Sequence, residues 1–112
     1  MWPKVGLTLA VLAAASCRAS ESHQKALSEW KRNEKIIETA VKQGKSSEDT
    51  YLQANIFFYD VTGIAMSGNA TTFGLVPDEH TAKDLERIKK WCSMHCQKLY
   101  WDEKSNSVKY AK

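Results

Sequence analysis

The sequence predicts an all-α fold, a small three- to four-helix bundle, on three observations. Apolar residues recur at helical spacing in two segments: Ala26, Trp30, Ile37 and Val41 early in the chain, and Leu85, Ile88, Cys92, His95 and Leu99 late in it. Between them, the stretch from Ile56 to Met66 is apolar on nearly every side, the pattern of a central, buried helix. Small and polar residues punctuate the chain at Gly44 and at Ser67-Gly68-Asn69, where helices are expected to stop. Amphipathic helices joined by short links can bury their stripes only against one another. Three of them make a thin core, and a homodimer would enlarge it.

The first helix is expected from Ser20 or Ser22 to Gln43, with Ala40 beside the stripe and Lys, Glu and Arg on the other faces. Gly44 stands where a left-handed residue commonly ends a helix. The second helix follows, with Ser46 or Ser47 as cap and Glu48 and Asp49 at the positive end of the macrodipole. Its Ile, Val, Phe and Tyr content makes a strand the competing reading. Within it, Asp60 reads as a partly exposed residue ahead of a catalytic carboxylate. The stretch up to Gly74 reads as a loop, and Asn69-Ala70-Thr71 fits a glycosylation acceptor, a tripeptide common by chance. Pro77-Asp78 opens the third helix, capped by Asp78 or Thr81, with Thr81-x-x-Asp84 a relative of the capping box. That helix is expected to end near Trp101. The polar tail, Asp102 to Lys112, is expected to fray or form one last turn.

The N-terminus predicts export. Lys4 gives a short basic region, Val5 to Ala15 an apolar one, and Ser16 to Ser20 a zone of small residues interrupted by Arg18, the layout of a signal peptide over residues 1–19. As a helix at ~1.5 Å per residue, Val5–Ala15 reaches about 16 Å, half of the ~30 Å hydrocarbon core, which argues against a permanent span. The cleavage zone carries two readings. Ala14-Ala15-Ser16-Cys17 resembles the lipobox of bacterial lipoproteins, with Ala14 where leucine is usual, and implies lipidation of Cys17. By the same resemblance, Arg18 implies an outer-membrane destination. Cys17-Arg18-Ala19 instead offers a small-x-small site, with a cut before Ser20. Either way residues 20–112 form one domain located in the periplasm, anchored to the outer membrane if Cys17 carries lipid.

Charge and motif content exclude several function classes. Without Lys4 and Arg18, the 16 basic side chains fall almost into balance with the 13 acidic ones. Nucleic-acid binders depend on basic excess, so no nucleic-acid partner is expected. There is no phosphate loop, dinucleotide fingerprint or HExxH, and no cofactor is expected. Asp78-Glu79-His80 serves a helix start. Cys92 beside His95 lacks an oxyanion hole and an orienting third group, so the chain is read as not an enzyme.

The pair Cys92 and Cys96 with His95 is the most chemical-looking constellation. Two sulfurs and an imidazole on one helix face would suit zinc or cuprous copper, though a closed zinc site needs a fourth ligand. The competing readings are a small apolar residue on the core stripe, a disulfide between the two, or a disulfide to a second chain. Trp30, Trp91, Tyr100 and Trp101 serve equally as core residues or as interface anchors.

From Phe57 the chain reads FFYDVTGIAMSGNATTFGLVP and then DEHTAKDLERIKKWCSMHCQK. Over about residues 57–98 this resembles the Tai-type (Rap/Tai) immunity proteins of type VI secretion systems. Phe57 and Val61 stand in the aromatic-rich helix, Phe73 to Pro77 in the loop's end, and Thr81, Leu85 and Ile88 in the following helix. Asp60 departs from the pattern, which has glycine there, and the cysteine of the family's loop is absent. The resemblance implies an all-helical, dimeric periplasmic protein whose partner is a secreted cell-wall amidase, a hydrolase toxin neutralised by direct binding. It places partner binding in the loop Ser67, Gly68, Asn69, Ala70, Thr71, Thr72 and Phe73, inserted into the toxin's cleft. The alternative reading is a small envelope lipoprotein with a binding or structural role, including soft-metal binding through Cys92, His95 and Cys96.

Overall fold

In the computed structural model, residues 2–44, 48–71 and 74–111 are described, with side chains over 21–44, 50–68 and 75–111. Three helices and two antiparallel hairpins alternate along the chain: α1 (Trp2–Gln43), α2 (Glu48–Thr62), β1 (Asn69–Thr71), β2 (Gly74–Val76), α3 (Thr81–His95), a 3-10 turn (Cys96–Lys98), β3 (Leu99–Asp102) and β4 (Ser107–Tyr110). The fold is therefore α+β, which corrects the expected all-α bundle.

The helices expected at each end of the domain are present. In α1, Ala26, Trp30, Ile37 and Ala40 are buried and Val41 is half-buried, as the stripe required. Gly44 ends the helix at φ 67°, a conformation only glycine adopts without strain. The helix runs unbroken from Trp2, and Cys17 lies on it with its side chain outside the described ones. The capping residues expected at Ser46 and Ser47 also lie outside the described residues.

Helix α2 is not buried all round. Tyr51, Ala54 and Phe58 are buried, whereas Leu52, Ile56 and Tyr59, at i, i+4 and i+7, stay exposed. It ends at Thr62, earlier than the run to Met66 suggested, because Gly63 turns the chain at φ 77°. Thr62 Oγ1 donates to Phe58 C=O (2.6 Å) and accepts from Ile64 N–H (3.0 Å), closing that end.

The expected loop after α2 contains a hairpin. β1 pairs with β2 in the register Asn69↔Val76 to Thr71↔Gly74. The last helix also stops earlier than expected, at His95. The chain then turns through Cys96–Lys98 into a second hairpin, with Leu99 opposite Tyr110 and Asp102 opposite Ser107. So neither the end near Trp101 nor the fraying tail holds. Asp102 shapes the turn: its carboxylate accepts from Lys104 N–H (3.1 Å) and Ser105 Oγ–H (2.9 Å). Asn106 takes φ 53°, a region asparagine tolerates better than most residues.

The core sits where α1, α2, α3 and the β3–β4 hairpin meet. Trp30 is at its centre, stacked on Trp91 (centroids 5.4 Å) and met edge-on by Phe58 (4.9 Å), while its indole N–H donates to Glu34 (2.9 Å). Ile37, Ile88, Leu99 and Val108 are buried around it. The hairpin thus does the work that the missing helical turns were expected to do.

Candidate functional site

The segment that the sequence singled out for partner binding is held at its base by a buried polar network. Ser67, the residue two before β1, makes three bonds. Its C=O accepts from Tyr51 Oη (2.9 Å) and Thr81 Oγ1 (2.9 Å), and its N–H donates to Asp84 Oδ2 (2.8 Å). Thr81 Oγ1 in turn accepts from Asp78 N–H (2.9 Å), and Asp78 Oδ1 accepts from His80 N–H (2.8 Å). Thr81 is the first residue of α3 instead of its cap, and Asp84 reaches out to the hairpin instead of back along its helix. The residues read as a capping box therefore tie α3 to the strand pair.

Burial gives this network its stiffness. Thr81 is fully buried, Asp84 is 7% exposed, and Tyr51 is fully buried. Burial pushes the Tyr51 phenol above its ordinary range, with the Thr81 and Asn55 hydrogen bonds working against that rise. Gly68 fits tightly: a Cβ there would lie 3.1 Å from Val76 O and 3.2 Å from Leu75 Cδ1. Of the expected partner-binding residues, Ser67 is tied into this network and Gly68 is closely packed, and Asn69, Ala70 and Thr71 form β1 with their side chains outside the described ones. Thr72 and Phe73 lie outside the described residues.

The second singled-out cluster resolves differently. Cys92 and Cys96 are joined by a disulfide, with Cα atoms 4.5 Å apart. The bond is made where α3 gives way to the 3-10 turn. His95 points away from the sulfurs' bond to the last strand: its Nδ1 pairs with Tyr110 Oη (3.0 Å), and its ring packs against Trp91 and Tyr110. Among the described residues no group of three His, Cys, Asp or Glu is arranged to hold a metal ion. His23 is used structurally, its Nδ1 2.9 Å from Leu99 C=O, and the exposed His80 ring lies 3.4 Å from the exposed Glu79 carboxylate. Trp30 and Trp91 are core or near-core residues, Trp101 packs under Lys25 (4.2 Å to the ring), and Tyr100 is exposed.

Sequence reasoning missed two surfaces. One is the α2 stripe of Leu52, Ile56 and Tyr59; the all-round apolar content of α2 concealed which side faces out. The other is a groove between α2 and β4, lined by Phe57, Asp60, Val61 and the residues from Ser107 to Tyr110. The alternation of Leu99, Trp101, Val108 and Tyr110 was the signal that could have found it. Comparison with protein-family models, with curated proteins and with solved structures gives no match.

Proposed function

We propose that this chain is a non-catalytic protein-binding domain of the cell envelope, which neutralises a cell-wall hydrolase by presenting the β1–β2 hairpin to its cleft. The observation that carries this reading is the anchored base of the hairpin. Ser67 is fixed to α2 through Tyr51 and to α3 through Thr81 and Asp84. A short hairpin fixed at its root loses little further conformational freedom on binding, so its contacts count almost fully toward affinity. A cleft-blocking element needs that property. The Cys92–Cys96 disulfide agrees with export, since such bonds persist in oxidising compartments. The resemblance over residues 57–98 supplies the class of partner, a wall amidase.

The test replaces Asn69 and Thr71 with tryptophan, separately, in the full chain. Inhibition of the co-encoded or co-purifying hydrolase should be lost while the thermal midpoint stays within a few degrees of the wild type. Full inhibition by both variants would remove the hairpin from the binding surface. A chain that captures no hydrolase and is recovered with lipid on Cys17 would instead be an envelope lipoprotein with a structural role.

A further inference from the structure

The two ends of the Cys92–Cys96 disulfide meet different surroundings. Cys96 is 7% exposed and belongs to the buried core. Cys92 is half-buried and lines a surface cavity of about 350 Å³ between α1 and α3, with Leu27, Trp30, Lys31, Glu34 and Lys89 around it. Glu34 accepts from the Trp30 indole and Lys89 is held by Glu38, whereas the exposed Lys31 has no ion pair among the described residues.

The bond also sits where the chain bends. Its Cα atoms are 4.5 Å apart, against about 6 Å for residues i and i+4 of a regular helix. His95, between them, has left the helical region at φ −129°, and the 3-10 turn that follows delivers Leu99 to β3. With a sequence separation of 4, the cross-link restrains little of the unfolded chain, so it can open without unfolding the domain.

We propose that Cys92–Cys96 is a redox-switchable bond, opened in the folded protein by a dithiol partner protein that attacks Cys92 from this cavity. The incoming thiolate bonds to Cys92 Sγ, the Cys92–Cys96 bond breaks, and its electron pair leaves on Cys96, which takes a proton from water. The partner's second thiol then attacks the mixed disulfide and gives up its proton, and Cys92 leaves as a thiol. Two electrons thus pass from the dithiol, which becomes a disulfide, to the pair, which becomes two thiols. Access sets the direction, since the buried Cys96 offers no approach. Lys31 favours a thiolate at the rim, and Leu27 and Trp30 suit an apolar residue beside the partner's cysteine. The pair is a recipient and not a catalyst: at the negative, C-terminal end of α3 a thiolate is disfavoured, so the reduced cysteines attack poorly. Opening the bond frees the junction that leads into the β3–β4 hairpin. The inference is independent of the binding role proposed for the β1–β2 hairpin.

The experiment treats the oxidised full-length protein with glutathione under native conditions, quenches in acid at short times and maps the mixed disulfide by peptide mass. The adduct should sit on Cys92 in about tenfold or greater excess over Cys96, because access decides which sulfur is attacked. With dithiothreitol, the rate of opening should rise in proportion to thiol and stay flat in urea below the unfolding transition. Amide exchange in the reduced protein should quicken from Cys96 to Leu99 and stay unchanged at Ser67. An adduct found on Cys96 or shared equally would overturn the proposal. So would a rate that saturates with thiol and climbs with urea, since the bond would then open only on global unfolding.

Discussion

Replacing Asp84 with alanine should destabilise the domain by about 2–3 kcal/mol, because a buried carboxylate accepting a main-chain N–H contributes about 1.5–3 kcal/mol and the abandoned donor adds a desolvation term. The structure assigns the effect to one bond, Ser67 N–H to Asp84 Oδ2 at 2.8 Å. Arg87 contributes little, since its contact with Asp84 is 3.5 Å long and its side chain is 63% exposed. With m near 1 kcal/mol/M for a domain of this size, the urea midpoint should fall by about 2 M and the thermal midpoint by about 10 °C or more. Asp84→Asn keeps an acceptor oxygen and should lose only about 1 kcal/mol, the worth of an ordinary hydrogen bond. The assay is urea unfolding followed by tryptophan fluorescence, with amide exchange as a local probe. Exchange in the β1–β2 hairpin should accelerate more than in β3–β4. A loss under about 0.5 kcal/mol for the alanine variant, the scatter of ordinary surface substitutions, would refute the anchored-base argument. So would equal losses for alanine and asparagine.

Three further outcomes follow from the same structure. Reducing the Cys92–Cys96 disulfide, or replacing both cysteines with serine, should cost about 2 kcal/mol by the loop-entropy relation for so short a loop, read as a fall in thermal midpoint on adding reductant. Tyr51 has a phenol pKa raised above its ordinary value of 10.0 by burial, so the stability it contributes is complete below that value and is lost as pH rises through the folded-state pKa. Tyr51→Phe should remove that alkaline decline in a urea-midpoint series while weakening the domain at neutral pH through the lost bond to Ser67. Glu38 is held below its ordinary range chiefly by its hydrogen bond with Lys89 (2.6 Å), so this contribution is present above pH 4.5 and lost as pH falls through the depressed value. Both side chains are more than a third exposed, so Glu38→Gln should change stability by under about 1 kcal/mol, and less in high salt.

What could be read from the chain differs by element for physical reasons. Helix α1 was legible because its stripe, its charged faces and Gly44 agree on one answer. The all-α reading failed at the C-terminus because Leu99 satisfies two periods at once. It continues the helical stripe of Leu85, Ile88, Cys92 and His95, and it also begins the two-residue alternation with Trp101. Turn chemistry decides between them: Asp102 and Asn106 bracket a tight reversal, and Tyr110 returns to pack on Trp91. The β1–β2 hairpin was read as loop because its strands are three residues long, too short to show an alternation, and Asn69-Ala70-Thr71 of β1 is small and mostly polar. At the candidate site, the anchoring of Ser67 could not be read from the chain. Its role depends on Tyr51, Thr81 and Asp84, 14 to 17 residues away in sequence, and no local pattern joins them.

The most direct test of the binding role is site-specific photo-cross-linking in the native envelope, with the photoreactive residue at Asn69 on the hairpin and, as control, at Lys104 in the β3–β4 turn. The account predicts that a wall hydrolase is captured from position 69 and not from 104, and that the adduct lacks hydrolytic activity. Capture of the hydrolase only from position 104, or no hydrolase from either, would contradict it.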